Sequence, residues 1–543
     1  MDGRHYGIDA RVKLMPTFAG TAGEDLSSGL PFANSPFLFN ERLSDRLSED
    51  LLEVTIRSSL SQPAAAFSLT LAARPVLGVS SWAEIIRPFA LVTILLHRSG
   101  DAADPAATAE PEPVLVGLVD PGGVRVAEDY SRAEPVRIVQ VTGRSLTSVL
   151  TDQPWWFNHY LSAHPPPELA DYFESAANIG AAPALQALGF FAVDFTLFTD
   201  LPRLTPVAAM RKVYDFFVGS PGKPGFVKLQ FADGRSLRQR LRFDAAMAEL
   251  SFFDPGARFM QQLQPVQFPQ ASCWQAMQMF AEQPFVEMFS DTFGTAEDAH
   301  VDLVVRKPPW AGHISYPPQG ASVAFSTGRA PGLRSSLFDT EYGGWRGNQV
   351  FESPLGDLMG GWDGQNHVVE IGGSDVIGIP TLARGASDVF NAFEVRPQIG
   401  SSAGDNQGDA LLQADTPPII DADSESPSYV RRFGIRRHPF RSTKYIAITK
   451  ENNSTRVPSG GWARHATAYA ALLRTWFHWN PEMLSGSYLL KGRTGLRIGR
   501  RLVDRDRHLE FYITDVLHRV VLTGAQPTYT TAVRVERGWE INL

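Results

Sequence analysis

Two stretches decide how the chain is read: Phe511-Tyr-Ile-Thr-Asp-Val-Leu-His518, and Tyr529-Thr-Thr-Ala-Val-Arg-Val-Glu-Arg537 with the Gly538 that ends it. Both are dominated by β-branched and aromatic residues, which fit a pleated, half-buried surface better than a helix. They predict a strand pair that closes the last β-domain of the chain.

The same signal recurs upstream. Leu52, Val54 and Ile56 alternate with polar neighbours, and Phe67, Leu69 and Leu71 do so after the Ser61-Gln62-Pro63 turn, which predicts a hairpin or two adjacent strands. Further strands are expected at 92–96, 114–119 and 136–141, separated by an acidic loop at 101–113 and by a Pro121-Gly122-Gly123 turn. Five or six strands in about a hundred residues predict a small barrel or sandwich over 49–153. Residues 1–48 are mixed and turn-rich and read as an arm. From 154 to 300 the texture is that of an inserted mixed domain, with Trp155-Trp156, Pro165-Pro166-Pro167 and Ala-rich runs marking short helices. Within it, Val227, Leu229 and Phe231, the Asp233-Gly234 turn and a returning strand at 237–243 give the strongest hairpin signal of the chain. A helix is expected at 272–289, its stripe of Trp274, Met277, Phe280 and Ala281 packing into a core. The second β-domain spans 301–543 and begins with a strand at 301–306. It contains an acidic, solvated loop at 397–428 and a helix at 462–479, on which Trp462, Ala466, Tyr469, Leu473 and Trp476 recur at helical spacing.

Composition sets the limits on function. At 543 residues the chain exceeds what one core serves, and 43% hydrophobic residues with 34 Phe and 11 Trp exclude a disordered protein. The 46 Gly and 39 Pro favour strands joined by turns, so the fold class is β-rich α+β. A net charge of -8 gives no chain-wide attraction for nucleic acid or an anionic membrane. The single cysteine, Cys273, precludes an internal disulfide framework and a Cys-based zinc cluster; it reads as a buried thiol and fits a reducing cytoplasm. The N-terminus shows no signal peptide, and the best membrane candidate, 85–96, is broken by Arg87-Pro88 and too short to span. The overlapping sequons at Asn452 and Asn453 carry no weight in a chain with no secretory route.

Motifs for chemistry are wanting. No Gly-x-Ser-x-Gly elbow and no His-Glu-x-x-His pair occurs. Gly219-Ser-Pro-Gly-Lys223 has its glycines too close for a phosphate loop and Pro224 where Ser or Thr would hold magnesium, so it reads as a turn. Asp421-Ala-Asp-Ser-Glu425 starts like a calcium loop, but Ser426 replaces the turn glycine and Arg432 stands where a bidentate carboxylate belongs. Two arginine clusters stand out: Arg431, Arg432, Arg436, Arg437 and Arg441 with Lys444, and Arg493, Arg497, Arg500, Arg501, Arg505 and Arg507. With acidic residues beside both, ion pairing between domains or chains is favoured over phosphate binding. No catalytic, cofactor-binding or metal-binding residue is assigned, and no cofactor is expected.

Several local patterns, taken in order, resemble the phage tail hub family called late control protein D, itself similar to the N-terminal hub part of type VI secretion spike proteins. They are Phe67-Ser-Leu-Thr-Leu71, Val116-Gly-Leu-Val-Asp120 and Val139-Gln-Val-Thr-Gly-Arg144; then Glu287-Met-Phe289 with Asp291, Leu303-Val-Val-Arg306 and Pro308-Pro309-Trp310; then Asn391-Ala-Phe393-Glu-Val395, the run 489–499 with Gly492, Gly495 and Gly499, and the two closing strands. The resemblance covers about 50–150 and 270–543. The arm, the 154–265 insertion and the acidic loop depart from the pattern. It implies two tube-like β-barrel domains per chain in a homotrimeric, ring-forming baseplate hub that adapts a sixfold tail tube to a threefold spike. The implied partners are the tail tube protein, a separate spike or tail-tip protein, baseplate wedge proteins and the tape measure protein, with DNA only in transit and no stable membrane insertion. The implied place is the virion tail baseplate, after assembly in the host cytoplasm. Because five residues follow Gly538, a spike supplied as another chain is expected. Two other readings stay open: a ring component of a contractile injection or secretion particle, and a cell-wall polysaccharide hydrolase whose carboxylates are not recognisable from spacing.

Overall fold

The computed structural model describes residues 8–15, 17–19, 41–76, 81–98, 111–129, 136–153, most of 206–244, 272–278, 281, 287–306, 368–385, 389–398, 418–446, 480–523 and 527–540, with isolated positions between 470 and 477. Within them the chain is β-rich, and its helices are short. The first part contributes β1 (Ile8–Met15), β2 (Thr17–Ala19), β3 (Leu51–Ser59), β4 (Gln62–Ala72), β5 (Leu91–Arg98), β6 (Glu112–Asp129) and β7 (Val136–Ser145). The middle contributes β8 (Gly219–Ser220), β9 (Lys223–Pro224), β10 (Leu229–Phe231), β11 (Leu241–Asp244), β12 (Glu287–Phe293) and β13 (His300–Arg306). The last part contributes β14 (Val368–Ile371), β15 (Thr381–Arg384), β16 (Ala392–Gln398), β17 (Ile419–Ile420), β18 (Arg437–Ile446), β19 (Leu484–Lys491), β20 (Arg501–Asp504), β21 (Leu509–Val521) and β22 (Thr528–Glu540).

The main sheet has 12 strands and runs β1-β5-β6-β7-β4-β3-β21-β22-β19-β15, with β20 joining β21 and β14 joining β20. Its centre is β21. One edge pairs with β22 along the strand; the other pairs with β20 over Leu509 to Tyr512 and with β3 over Asp515 to Val521. The burial pattern explains how one strand serves two units. Leu509, Phe511 and Ile513 are buried in the core of the second unit, after which burial moves to Val516, His518 and Val520. A bulge between Ile513 and Asp515 inserts the extra residue that turns the strand's inward face over.

Three cores result. Alternate residues of β1, β3, β4, β5 and β7, among them Val12, Val54, Phe67, Ile94 and Val141, fill the first, which also takes Val520 and Tyr529 from the C-terminal strands. The second surrounds Tyr488, Leu502, Phe511 and Val533. The third packs the helices Pro206–Val218 and Cys273–Gln278 against β6, β12 and β13. In β12 Met288 enters the third core and Phe289 the second; in β13 Leu303 and Val305 enter the third and Val304 the second. Residues on both faces are apolar because both faces are covered.

Several expectations need correction. The 1–48 arm is structured in part: Ile8, Ala10, Val12 and Leu14 alternate with charged residues, and β1 pairs with β5 as an edge strand under the helix Glu41–Glu49. The Pro121-Gly122-Gly123 turn is instead an irregularity inside β6, whose pairing with β7 shifts between Val119 and Val124. The hairpin expected at 227–243 does not form. After the Gly234 turn, Ser236 and Gln239 build a capping box that starts the helix Leu237–Arg240, so the chain swings away; β10 pairs with β2, and β11 pairs in parallel with β13. The helix expected at 272–289 stops at Gln278, and Glu287 begins β12. The β12–β13 antiparallel pair and β11 form one sheet across the 300/301 boundary. Gly219 to Lys223 do form a turn, between β8 and β9. Most of the expected 462–479 helix, and residues 307–367, lie outside the described residues.

Candidate assembly surfaces and the residues that brace them

The second arginine cluster binds the chain to itself. Arg497 donates through Nη1 to the Asp291 carboxylate at 3.4 Å and to the Thr292 carbonyl, and through Nη2 to the Pro113 carbonyl at 2.9 Å. It thereby ties the loop before β20 to β12 and β6. Arg501 pairs with Glu510 and Arg505 with Glu370; Arg507 reaches Asp504 at 2.7 Å, and Arg493 donates to the Glu370 carbonyl at 2.8 Å. Arg497 and Asp291 each have 10% of the side chain exposed, so this pair is screened far less than a surface bridge. Beside it lies His518, whose ring contacts the Thr531 and Tyr529 hydroxyls at 3.1 Å. Burial, and secondarily Arg497, holds this imidazole down at about 3, so it is neutral at ordinary pH.

The Arg537-Gly538 ending also has a local cause. Arg537 adopts φ 55, a left-handed value tolerated at a bulge, and the Phe511 ring lies over Gly538 where a side chain would stand. A Cβ there would come within 2.6 Å of Phe511 Cδ1. The first unit uses the same device: Phe67 on β4 covers Gly143 on β7, where a Cβ would lie 2.6 Å from Phe67 Cε1. The Arg537 guanidinium is 5.7 Å from the centre of the Phe477 ring and donates to Asn480. Phe477 belongs to an aromatic group with Phe390, Phe393 and His438, at ring separations of 4.5–6.4 Å. Burial among these rings lowers the His438 pKa to about 4.

The ends of the main sheet are candidate contact edges. Among the described residues β1 pairs only with β5 and β15 only with β19. Beside β15 stand Ile379, 94% exposed, and Ile377 and Leu489, also exposed, the Ile377 amide donating to the Leu489 carbonyl at 2.7 Å. An apolar group next to an unpaired edge is the composition of a strand-addition contact.

The first arginine cluster is split by the fold. Arg431 and Arg432 lie on the short helix Val430–Phe433, and Arg437 begins β18. Asp421, expected in a solvated loop, is instead fully buried: its carboxylate accepts from the Ser426 and Ser428 hydroxyls and from Arg474 at 2.7 Å. Sequence spacing gave no sign of Arg474 as its partner, because the two are 53 positions apart. These hydroxyl and guanidinium donors are not the oxygen shell of a calcium site. Cys273 is buried, and loss of solvation raises its thiol pKa well above the ordinary value, so it is not a poised nucleophile.

No protein-family model and no curated protein matches the chain by sequence. Solved structures do align with it: the tail protein from Neisseria meningitidis MC58 (10% identity, 98% of this chain and 97% of that one, TM-score 0.39) and the 43 kDa tail protein of prophage MuSo2 from Shewanella oneidensis (13% identity, 90% and 94%, TM-score 0.37). A half-lidded Francisella PdpA–VgrG complex aligns over 98% of this chain and 58% of its own, at 8% identity and TM-score 0.35. The chain is thus similar, over most of its length, to two tail proteins and to one chain of a PdpA–VgrG complex.

Proposed function

We propose that this chain is a structural hub of a phage tail baseplate: a homotrimeric ring that adapts a sixfold tail tube to a threefold spike and surrounds the channel for DNA. The observation that carries the reading is the main sheet, in which two β-units are joined edge to edge by β3 and β21 while unlike edges, β1 and β15, remain at its ends. Unlike edges pair head to tail, and a head-to-tail contact that closes makes a ring without free strand edges. Two β-units per chain in three copies give six units around the ring, the number a sixfold tube presents. The shared Phe-over-Gly packing of Phe67 on Gly143 and Phe511 on Gly538 supports equivalent roles for the two units. In this role the tube protein sits on one face and a spike or tail-tip chain on the other, with wedge and tape measure proteins as further neighbours. A net charge of -8 disfavours adhesion of passing DNA. The role is that of a virion component assembled in the host cytoplasm, and it needs no catalytic group.

The test is native mass spectrometry and negative-stain imaging of the chain alone and with its tail tube protein. A trimer that forms a threefold ring is expected, and Ile379→Lys should weaken that ring while leaving the melting temperature of the monomer unchanged. A chain that stays monomeric with the tube protein overturns the proposal.

A further inference from the structure

The small sheet made by β17, β16 and β18 carries an exposed basic surface that the ring does not account for. Arg431, Arg432, Arg436 and Arg437 are all exposed within seven positions, around Ile435 at 67% exposure. Ile420, on the neighbouring β17, is 42% exposed. Among the described residues no carboxylate pairs with Arg431, Arg432 or Arg437. The Arg432 and Arg436 guanidiniums lie 5.3 Å and 5.9 Å from the Phe433 ring centre.

This surface is held in shape. Asn391 is fully buried; its side chain donates to the Gly434 carbonyl at 2.7 Å and accepts from the Arg436 amide at 2.7 Å, while its own amide donates to the Arg436 carbonyl at 3.0 Å. Gly434 takes φ 71, which makes the turn between the helix and β18 possible. On the other side the Val430 amide donates to the Asp421 carbonyl at 3.0 Å, and Asp421 is itself fixed by Ser426, Ser428 and Arg474. A loop braced at both ends loses little freedom when it is bound, so its contacts convert to affinity with a smaller entropic cost.

We propose that this arginine surface is a docking site for an acidic protein segment that also carries an aliphatic side chain. Arginines supply charge-assisted and bidentate bonds to carboxylates, and exposed Ile435 and Ile420 offer an apolar contact at the centre. A phosphate backbone would match the charge but not the isoleucines, and the acidic chain as a whole repels nucleic acid. The inference rests on this surface alone and is independent of whether the chain forms a ring.

The test is fluorescence anisotropy of the full-length chain with a labelled peptide, Asp-Glu-Leu-Asp-Glu-Leu-Asp-Glu, against the same peptide with lysine for every acid and against a short DNA duplex. Binding of the acidic peptide is expected. It should weaken at least about tenfold in Arg431→Glu/Arg437→Glu and severalfold in Ile435→Ala, with the lysine peptide inert. Because both arginines are exposed, the variants should melt with the wild type; Arg431→Gln/Arg437→Gln replaces the charge reversal if it does not. Absence of acidic-peptide binding, unchanged binding by the charge variants, or a DNA duplex that binds more tightly and displaces the peptide would each overturn the proposal.

Discussion

Replacing Gly538 by alanine probes the packing that closes the second β-unit. The new Cβ would stand 2.6 Å from Phe511 Cδ1 and 2.8 Å from Leu484 Cβ, whereas carbons rest at about 3.5–4.0 Å. The Phe511 ring must therefore retreat by about 1 Å. It has little room: Phe511 is 1% exposed and lies edge-on to Tyr488, itself 1% exposed, at 5.7 Å. Overpacking of this kind costs about 1–3 kcal/mol, which for a unit of this size lowers the melting temperature by roughly 2–12 °C. The left-handed φ belongs to Arg537 and not to Gly538, so the cost is steric and not conformational. That distinction gives a sharp control. Gly495→Ala, where a Cβ meets nothing within 4 Å, should melt with the wild type. Shortening the obstacle should restore space, so Phe511→Leu combined with Gly538→Ala should be less destabilised than the sum of the single variants. Calorimetry and urea unfolding of the four proteins measure the coupling. A Gly538→Ala chain that melts within about a degree of wild type, or strictly additive variants, would refute the reasoning.

Removing the guanidinium of Arg497 withdraws a cation from the 10%-exposed Asp291 carboxylate and a donor from the Thr292 and Pro113 carbonyls, so Arg497→Met should cost about 3–5 kcal/mol in urea unfolding. The pH dependence follows from two buried imidazoles. His438 and His518 are held at about 4 and about 3 against an ordinary value of 6.5, so the unfolded chain binds more protons than the folded chain below 6.5. Their contribution to stability is complete above pH 6.5 and is lost as pH falls toward 4 and then 3. Urea midpoints should decline over that window, and His518→Asn should flatten the decline.

Strands that carry their own alternation were legible in the sequence. Val54 and Ile56, Phe67 and Leu69, and Val533 and Val535 point inward as their spacing requires. The pattern was equally present in Ile8, Ala10, Val12 and Leu14, but turn-rich flanks hid an edge strand whose partner is about 80 positions away. Local signals misled where two competed. At 231–241 the Asp233-Gly234 turn argued for a hairpin, and the Ser236/Gln239 capping box redirected the chain. At 287–289 the apolar Met288 and Phe289 continued a helical stripe into a strand covered on both faces. Of the second arginine cluster, Arg497 pairs across the 300/301 boundary with Asp291, as interdomain ion pairing requires, whereas Arg501, Arg505 and Arg507 pair within 301–543, with Glu510, Glu370 and the nearby Asp504. The burial of Asp421 could not be read at all, since it depends on a cation brought from a distant segment.

The seam between β3 and β21 bears on how the protein is made. Glu53 and Arg519, which pair across it at 2.8 Å, are 466 positions apart. A ribosome releases the N-terminal unit long before the strand that covers β3 exists. At about 5–20 residues per second, that edge waits roughly half a minute or more with its amides and carbonyls unpaired. So late a contact makes the sheet a slow closure and an open invitation to a neighbouring nascent chain. Expression at lower temperature, or a chaperone that shields the edge, should therefore raise the yield of soluble chain more than any gain in the stability of the finished fold.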